Sequence, residues 1–160
     1  MVLGLTTFAW IHTILSLVAL VAGIVVVKEL LGSRIPPGWT ALFLVTAIAT
    51  SATGFGFPFD RFIDSHWTGI AALVALALVI LARYVLGLAG AGRWIYAVGM
   101  VLSLYFLAVV AVAQLFKKVP ALTAMAPTQS EPPFLVAQLV TLAIFGWLAI
   151  AAARKFRPVA

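Results

Sequence analysis

Long apolar runs alternate with short polar interruptions along this chain. Five runs reach the roughly 20 residues a helix needs to cross about 30 Å of hydrocarbon. They are 5–27, ending at Lys28-Glu29; 38–57, after Pro36-Pro37; 65–86, with Arg83-Tyr84 near its end; 94–116, closed by Lys117-Lys118; and 134–153, closed by Arg154-Lys155. The pattern predicts one all-α membrane domain over 1–160, a single bundle of five transmembrane helices. Segments 28–37 and 87–93 read as tight turns. Two longer links, around 57–64 and from Lys117 to Pro133, lie on the opposite face and are too short to hold a domain. No repeat pairs three spans with two, which leaves an inverted-repeat transporter without support.

Five spans place the termini on opposite sides. The N-terminal side carries Arg61, Lys117 and Lys118; the other carries Lys28, Arg34, Arg83, Arg93, Arg154, Lys155 and Arg157. Asp60, Asp64 and Glu131 offset the first group. The positive-inside rule then makes the C-terminus cytoplasmic and the N-terminus periplasmic. Residues 1–27 contain no Lys or Arg, unlike the basic start of a cleaved signal peptide, so the first span reads as retained. Trp10 and Trp67 near one boundary, and Trp39, Trp94 and Tyr96 near the other, suit interfacial aromatic belts.

Composition narrows the classes further. Hydrophobic residues make up 65% of the chain and charged ones 9%, against about 25% charged in soluble domains. A soluble enzyme and a disordered chain are both excluded. The net charge of +6 is spread in small groups flanking the apolar runs, a pattern that fits lipid boundaries and not nucleic acid. With no cysteine, disulfides, thiol catalysis and thiolate metal sites are excluded.

Polar residues inside hydrocarbon are costly, so their depth carries information. His12 lies about seven residues into the first span, roughly 10 Å below its outer boundary. His66 lies at the mouth of the third span on the same side, with Thr50 and Thr53 near that end of the second. Gln114 and Gln138 add one polar group each from the last two spans, and Asp60, Arg61 and Asp64 cap the layer from the loop. The inner half holds Thr40 and Thr46, with Ser103 and Tyr105 at mid-depth, and no acid or histidine, which argues against a proton relay. Stripes of small and polar residues (His12, Ser16, Ala19, Gly23; Thr46, Thr50, Gly54; Tyr96, Gly99, Ser103) read as packing seams.

The candidate chemistry is an outer-face site around His12, His66 and Asp64. Two imidazoles and a carboxylate suit copper, zinc or iron. A second version uses both histidines as axial ligands to haem b, with Gly69 leaving space for the macrocycle. A third has the histidines, Gln114 and Gln138, near Thr50 and Thr53, bind a quinone-like or lipid head group. Against all three stands a purely structural role, in which His12 bonds across helices to Thr53 or Gln138 and His66 caps its own helix. Asp60 and Arg61 read as a loop ion pair.

The segments Phe57-Pro58-Phe59-Asp60-Arg61-Phe62 with Ser65-His66-Trp67, and Val119-Pro120-Ala121-Leu122 with Pro127-Thr128-Gln129-Ser130-Glu131-Pro132-Pro133, resemble a group of small uncharacterised bacterial multi-pass membrane proteins. The resemblance implies the bacterial inner membrane and no particular activity. Three roles follow as expectations: a redox or metal-handling protein with a periplasmic-face site, an accessory subunit of a larger membrane complex or a homo-oligomer, and a small-molecule transporter.

Overall fold

The computed structural model describes residues 6–57 and 64–158, leaving aside the side chains of residues 64 and 65. Its regular structure is helical: α1 (Thr7–Leu31), α2 (Pro37–Gly54), α3 (Asp64–Tyr84), α4 (Ala91–Lys118), α5 (Pro120–Met125) and α6 (Pro132–Lys155). Four of these, α1, α3, α4 and α6, are long and apolar enough to cross a membrane, and the chain is accordingly a helical membrane protein. The 18-residue α2 is not among them, because Thr40, Thr46, Thr50, Thr53 and Ser51 dilute its apolar character.

Local chemistry explains where the helices stop. Thr6 caps α1 by accepting a hydrogen bond from the Ala9 N–H at 3.2 Å. The helix runs past Lys28 and Glu29, which are good helix formers, and ends only where Gly32 and a left-handed Ser33 (φ 59°) turn the chain. Pro37 opens α2 at a position where a missing N–H costs nothing. Between α3 and α4 the turn needs positive φ at Gly87, Leu88 and Gly90. Helix α4 likewise includes Arg93 and both Lys117 and Lys118, so charges mark lipid boundaries better than helix ends.

Helices α1 to α4 form an antiparallel ring, each packed on the next and α4 closing back on α1. Helix α6 lies outside the ring, along α4, with lighter contact to α1. The small residues expected at the seams are there for close approach. A Cβ at Gly23 would come within 2.6 Å of Leu104 and 2.7 Å of Phe43, and one at Gly99 within 2.6 Å of Val79. The densest packing lies toward the end that holds the α1–α2 and α3–α4 turns. There Leu30, Phe43, Leu76, Val79, Tyr96 and Met100 are buried, whereas the buried residues of α1 begin only at Ala19. The C-terminal tail seals this end. Phe156 is fully buried with its ring 5.6 Å from Tyr96, and Arg93 donates to its carbonyl at 2.6 Å. Ser33 donates to the Lys155 carbonyl (2.8 Å) and accepts from the Arg157 N–H (2.9 Å).

Candidate functional site at the His12 end

The opposite end of the bundle holds the polar layer. Most hydroxyls near and below it are already used within their own helices. Thr13, Ser16, Thr46, Thr53, Ser103 and Thr141 each donate to the carbonyl four residues back. That is the ordinary way a hydroxyl is satisfied where no water is at hand.

His12 sits on α1 with Nδ1 2.9 Å from Thr53 Oγ1 on α2. The Thr53 hydroxyl proton goes to the Ala49 carbonyl at 2.6 Å. The oxygen therefore accepts from His12, which puts the proton on Nδ1 and leaves Nε2 as the acceptor nitrogen. The imidazole meets the Phe57 ring edge-on at 5.1 Å, and Phe57 in turn packs on Phe8 at 5.0 Å. Thr50, one turn deeper on α2, is buried, and its hydroxyl has no partner among the described residues.

His66 is 5% exposed and packs its ring against Phe55, just past the end of α2, at 5.6 Å. The same Phe55 ring fills the space beside Gly69, where a Cβ would meet it at 3.2 Å. The two histidines thus brace the same end of α2, His12 from α1 and His66 from α3, through different residues.

The glutamines divide. Gln114 is exposed on α4. Gln138 ties α6 to α4 by donating from Nε2 to the Val109 carbonyl at 3.2 Å, while its buried Oε1 has no partner among the described residues. Asp60 and Arg61 lie outside the described residues, as does the side chain of Asp64. Among the described residues no group of three or more His, Asp or Glu side chains could hold a metal ion.

Two contributors to this end were not anticipated. Gln129, left-handed in the Pro-rich connector, donates to the Ala113 carbonyl at 2.6 Å and pins the connector to α4. Glu131 accepts from the Thr128 hydroxyl (2.8 Å) and from the N–H groups of Thr128 and Ser130 (3.1 Å each). A Pro-rich stretch ending in Ser-Glu-Pro-Pro ahead of a helix carried that second signal, since Glu131 stands at the N-cap of α6. In comparisons with known proteins the chain matches no protein-family model, no curated protein and no solved structure.

Proposed function

We propose that this chain is a five-span protein of the bacterial inner membrane, N-terminus periplasmic and C-terminus cytoplasmic, serving as a non-catalytic accessory or structural subunit of a membrane assembly. The fifth crossing is assigned to α2 because it lies antiparallel along α1 and beside α3, both long enough to span. One observation carries the functional part: the apolar surface of α6 is left bare, while His12, Gln129 and Gln138 each spend a donor inside the chain. His12 goes to Thr53, His66 to the Phe55 ring, and Gln129 and Gln138 to α4 carbonyls. Leu139 and Trp147 are 63% and 65% exposed. Surfaces of that kind are what this protein has to offer a partner.

A second reading has its own support. A histidine with Nδ1–H bonded inward and Nε2 left as an acceptor is oriented as metal-binding and ligand-binding histidines are. A metal, haem or quinol-like hydroxyl at the outer face would engage Nε2 of His12, with His66 and Asp64 as further ligands. The two readings part in one experiment on the purified protein: its visible spectrum, metal content and extractable organic ligand, for wild type, His12→Gln, His66→Gln and the double variant. The accessory role predicts no bound species and small additive losses of stability, near 1 kcal/mol or less for His12→Gln. A bound species lost in either single variant, with little further loss in the double, would establish the ligand site instead.

A further inference from the structure

The tail that seals one end of the bundle also gathers charge there. Phe156 is fully buried, and backbone groups hold the residues on either side of it. The Lys155 carbonyl and the Arg157 N–H both meet the Ser33 hydroxyl, at 2.8 and 2.9 Å. Arg93 arrives at the same point from α4, with Nη1 2.6 Å from the Phe156 carbonyl. Consecutive Cα atoms are about 3.8 Å apart, so the Arg93 guanidinium stands beside the backbone that carries Lys155 and Arg157. The fold thus draws three cations together and supplies no anion for them. Of the four acids in the chain, Glu29 lies at this end and is taken by Arg34 at 2.6 Å. Asp60, Asp64 and Glu131 belong to the two links at the other end. No acidic side chain among the described residues pairs with Arg93, Lys155 or Arg157. The Phe156 carbonyl takes one of the five N–H donors of Arg93, while Lys155 and Arg157 are exposed.

Like charges at close quarters repel, and more strongly as the dielectric falls, so the cluster calls for a counter-anion. Its surroundings say which. Helix α6 is long enough to cross a membrane, so its last residue, Lys155, stands at a lipid boundary whichever way the chain is inserted. Arg93 lies over the ring of Trp94 at 4.5 Å, and Trp94 is 45% exposed, as boundary tryptophans are. The anion native to that level is the lipid phosphodiester, whose paired oxygens match a guanidinium. Headgroup charge then chooses among lipids. Phosphatidylethanolamine would bring its own ammonium as a fourth cation, whereas phosphatidylglycerol adds hydroxyls and no positive charge. We propose that Arg93, Lys155 and Arg157 form a binding site for the phosphodiester of an anionic phospholipid, assembled by the fastening of the tail to Ser33. Bound lipid in turn holds the tail, and with it the end of α6, on the bundle, because it favours the assembled state alone. The site draws on membrane lipid, so it needs no partner protein and goes beyond the accessory role.

The test uses the full chain in neutral detergent at about 0.15 M salt, where charges more than about 8 Å apart are largely screened. The probes are dioctanoyl phosphatidylglycerol, dioctanoyl phosphatidylethanolamine and glycerol 3-phosphate. Binding is read by native mass spectrometry and by the rise in thermal unfolding temperature. Phosphatidylglycerol is expected to bind and to raise the unfolding temperature, and the other two to do neither. Lys155→Gln and Arg157→Gln keep the tail in place, because only backbone groups of these residues hold it. Each is expected to weaken binding about fivefold, the worth of one basic residue near a lipid surface. Ser33→Gly keeps the left-handed turn and removes the hydroxyl that fastens the tail. It is expected to weaken binding by a similar factor with every charge retained. Lys117→Gln, at the other end, is expected to have no effect. Equal binding of phosphatidylethanolamine, or a matching effect of glycerol 3-phosphate, would overturn the anionic-lipid site. So would a Ser33→Gly variant that binds as wild type does, since a diffuse basic surface would then suffice. No binding of phosphatidylglycerol would overturn it too, and would leave an acidic protein segment as the counterpart of the three cations.

Discussion

A hydroxyl group in hydrocarbon has few places to send its proton, and in this protein Thr13, Ser16, Thr46, Thr53, Ser103 and Thr141 choose the carbonyl one turn back. Thr53 does this and still accepts from His12, so one side chain closes its own bond and joins two helices. Thr50 is an exception: it is buried, and its hydroxyl has no partner among the described residues. An unmade hydrogen bond is the expensive case, and a same-shaped apolar group removes the expense. Thr50→Val is therefore expected to raise stability by about 1 kcal/mol, read as thermal unfolding in detergent. A loss instead would reveal something bound to that hydroxyl in the native protein. The His12–Thr53 pair was one of two cross-helix bonds the sequence left open, with Gln138 as the other partner, because these residues lie at similar depth. The His66–Phe55 contact was not legible, because nothing in the order of residues separates Phe55 from the many phenylalanines expected to face lipid.

At the level of elements, the sequence located the long helices but not their neighbours. Every apolar run reappears as a helix, with ends shifted by a few residues. Helix α1 gains a turn past Lys28 because charge at an interface does not break a helix, and α2 stops at Gly54 ahead of the predicted 57. The six-residue α5 was missed, being too short for periodicity to register, although Pro120 at its first turn is a start signal. That α6 lies outside the ring could not be read either, because its composition is apolar all round and so names no preferred face. Ahead of α6 the connector is tied to α4 by Gln129 and folded on itself by the Glu131 knot. Desolvation is the largest single influence and pushes the Glu131 pKa up, but the Thr128 hydroxyl and the surrounding backbone N–H groups together outweigh it and hold the pKa below the ordinary glutamate value. A depressed carboxyl pKa means the knot is fully formed above the ordinary value, about 4.3, and is lost as the pH falls through the lower native one. Deuterium exchange of the 127–131 segment, corrected for its intrinsic rate, should accelerate in that acid range. In Glu131→Gln it should be fast already at neutral pH, with the acid step gone. An acid step that survives in Glu131→Gln would show that another group governs the connector.

Taken whole, the molecule has two unlike ends. One is sealed: Phe156 fills the bundle, Ser33 and Arg93 hold the tail, and Arg34 pairs with Glu29 at 2.6 Å. The other holds the polar layer, and there α5 and the connector pack against α4. The sealed end gathers Lys28, Arg34, Arg83, Arg93, Arg154, Lys155 and Arg157 with a single acid, Glu29. Two of these cations lie over aromatic rings, Arg83 at 5.5 Å from Tyr84 and Arg93 at 4.5 Å from Trp94, an arrangement suited to a headgroup boundary. Exposed ion pairs contribute little to stability, so this concentration of charge reads as an address and not as a fastening. Short flanking segments rich in Lys and Arg resist translocation, which is the ground for proposing that the sealed end is cytoplasmic. A reporter active only in the cytoplasm, fused after Ala160, should then be active, and the same reporter inserted at Gln129 should be silent. Because α6 alone separates the two positions, the pair also tests whether that peripheral helix crosses the membrane. Equal activity at both would mean that α6 lies along the surface, and the reversed pattern would mean that the charges do not set the direction of insertion.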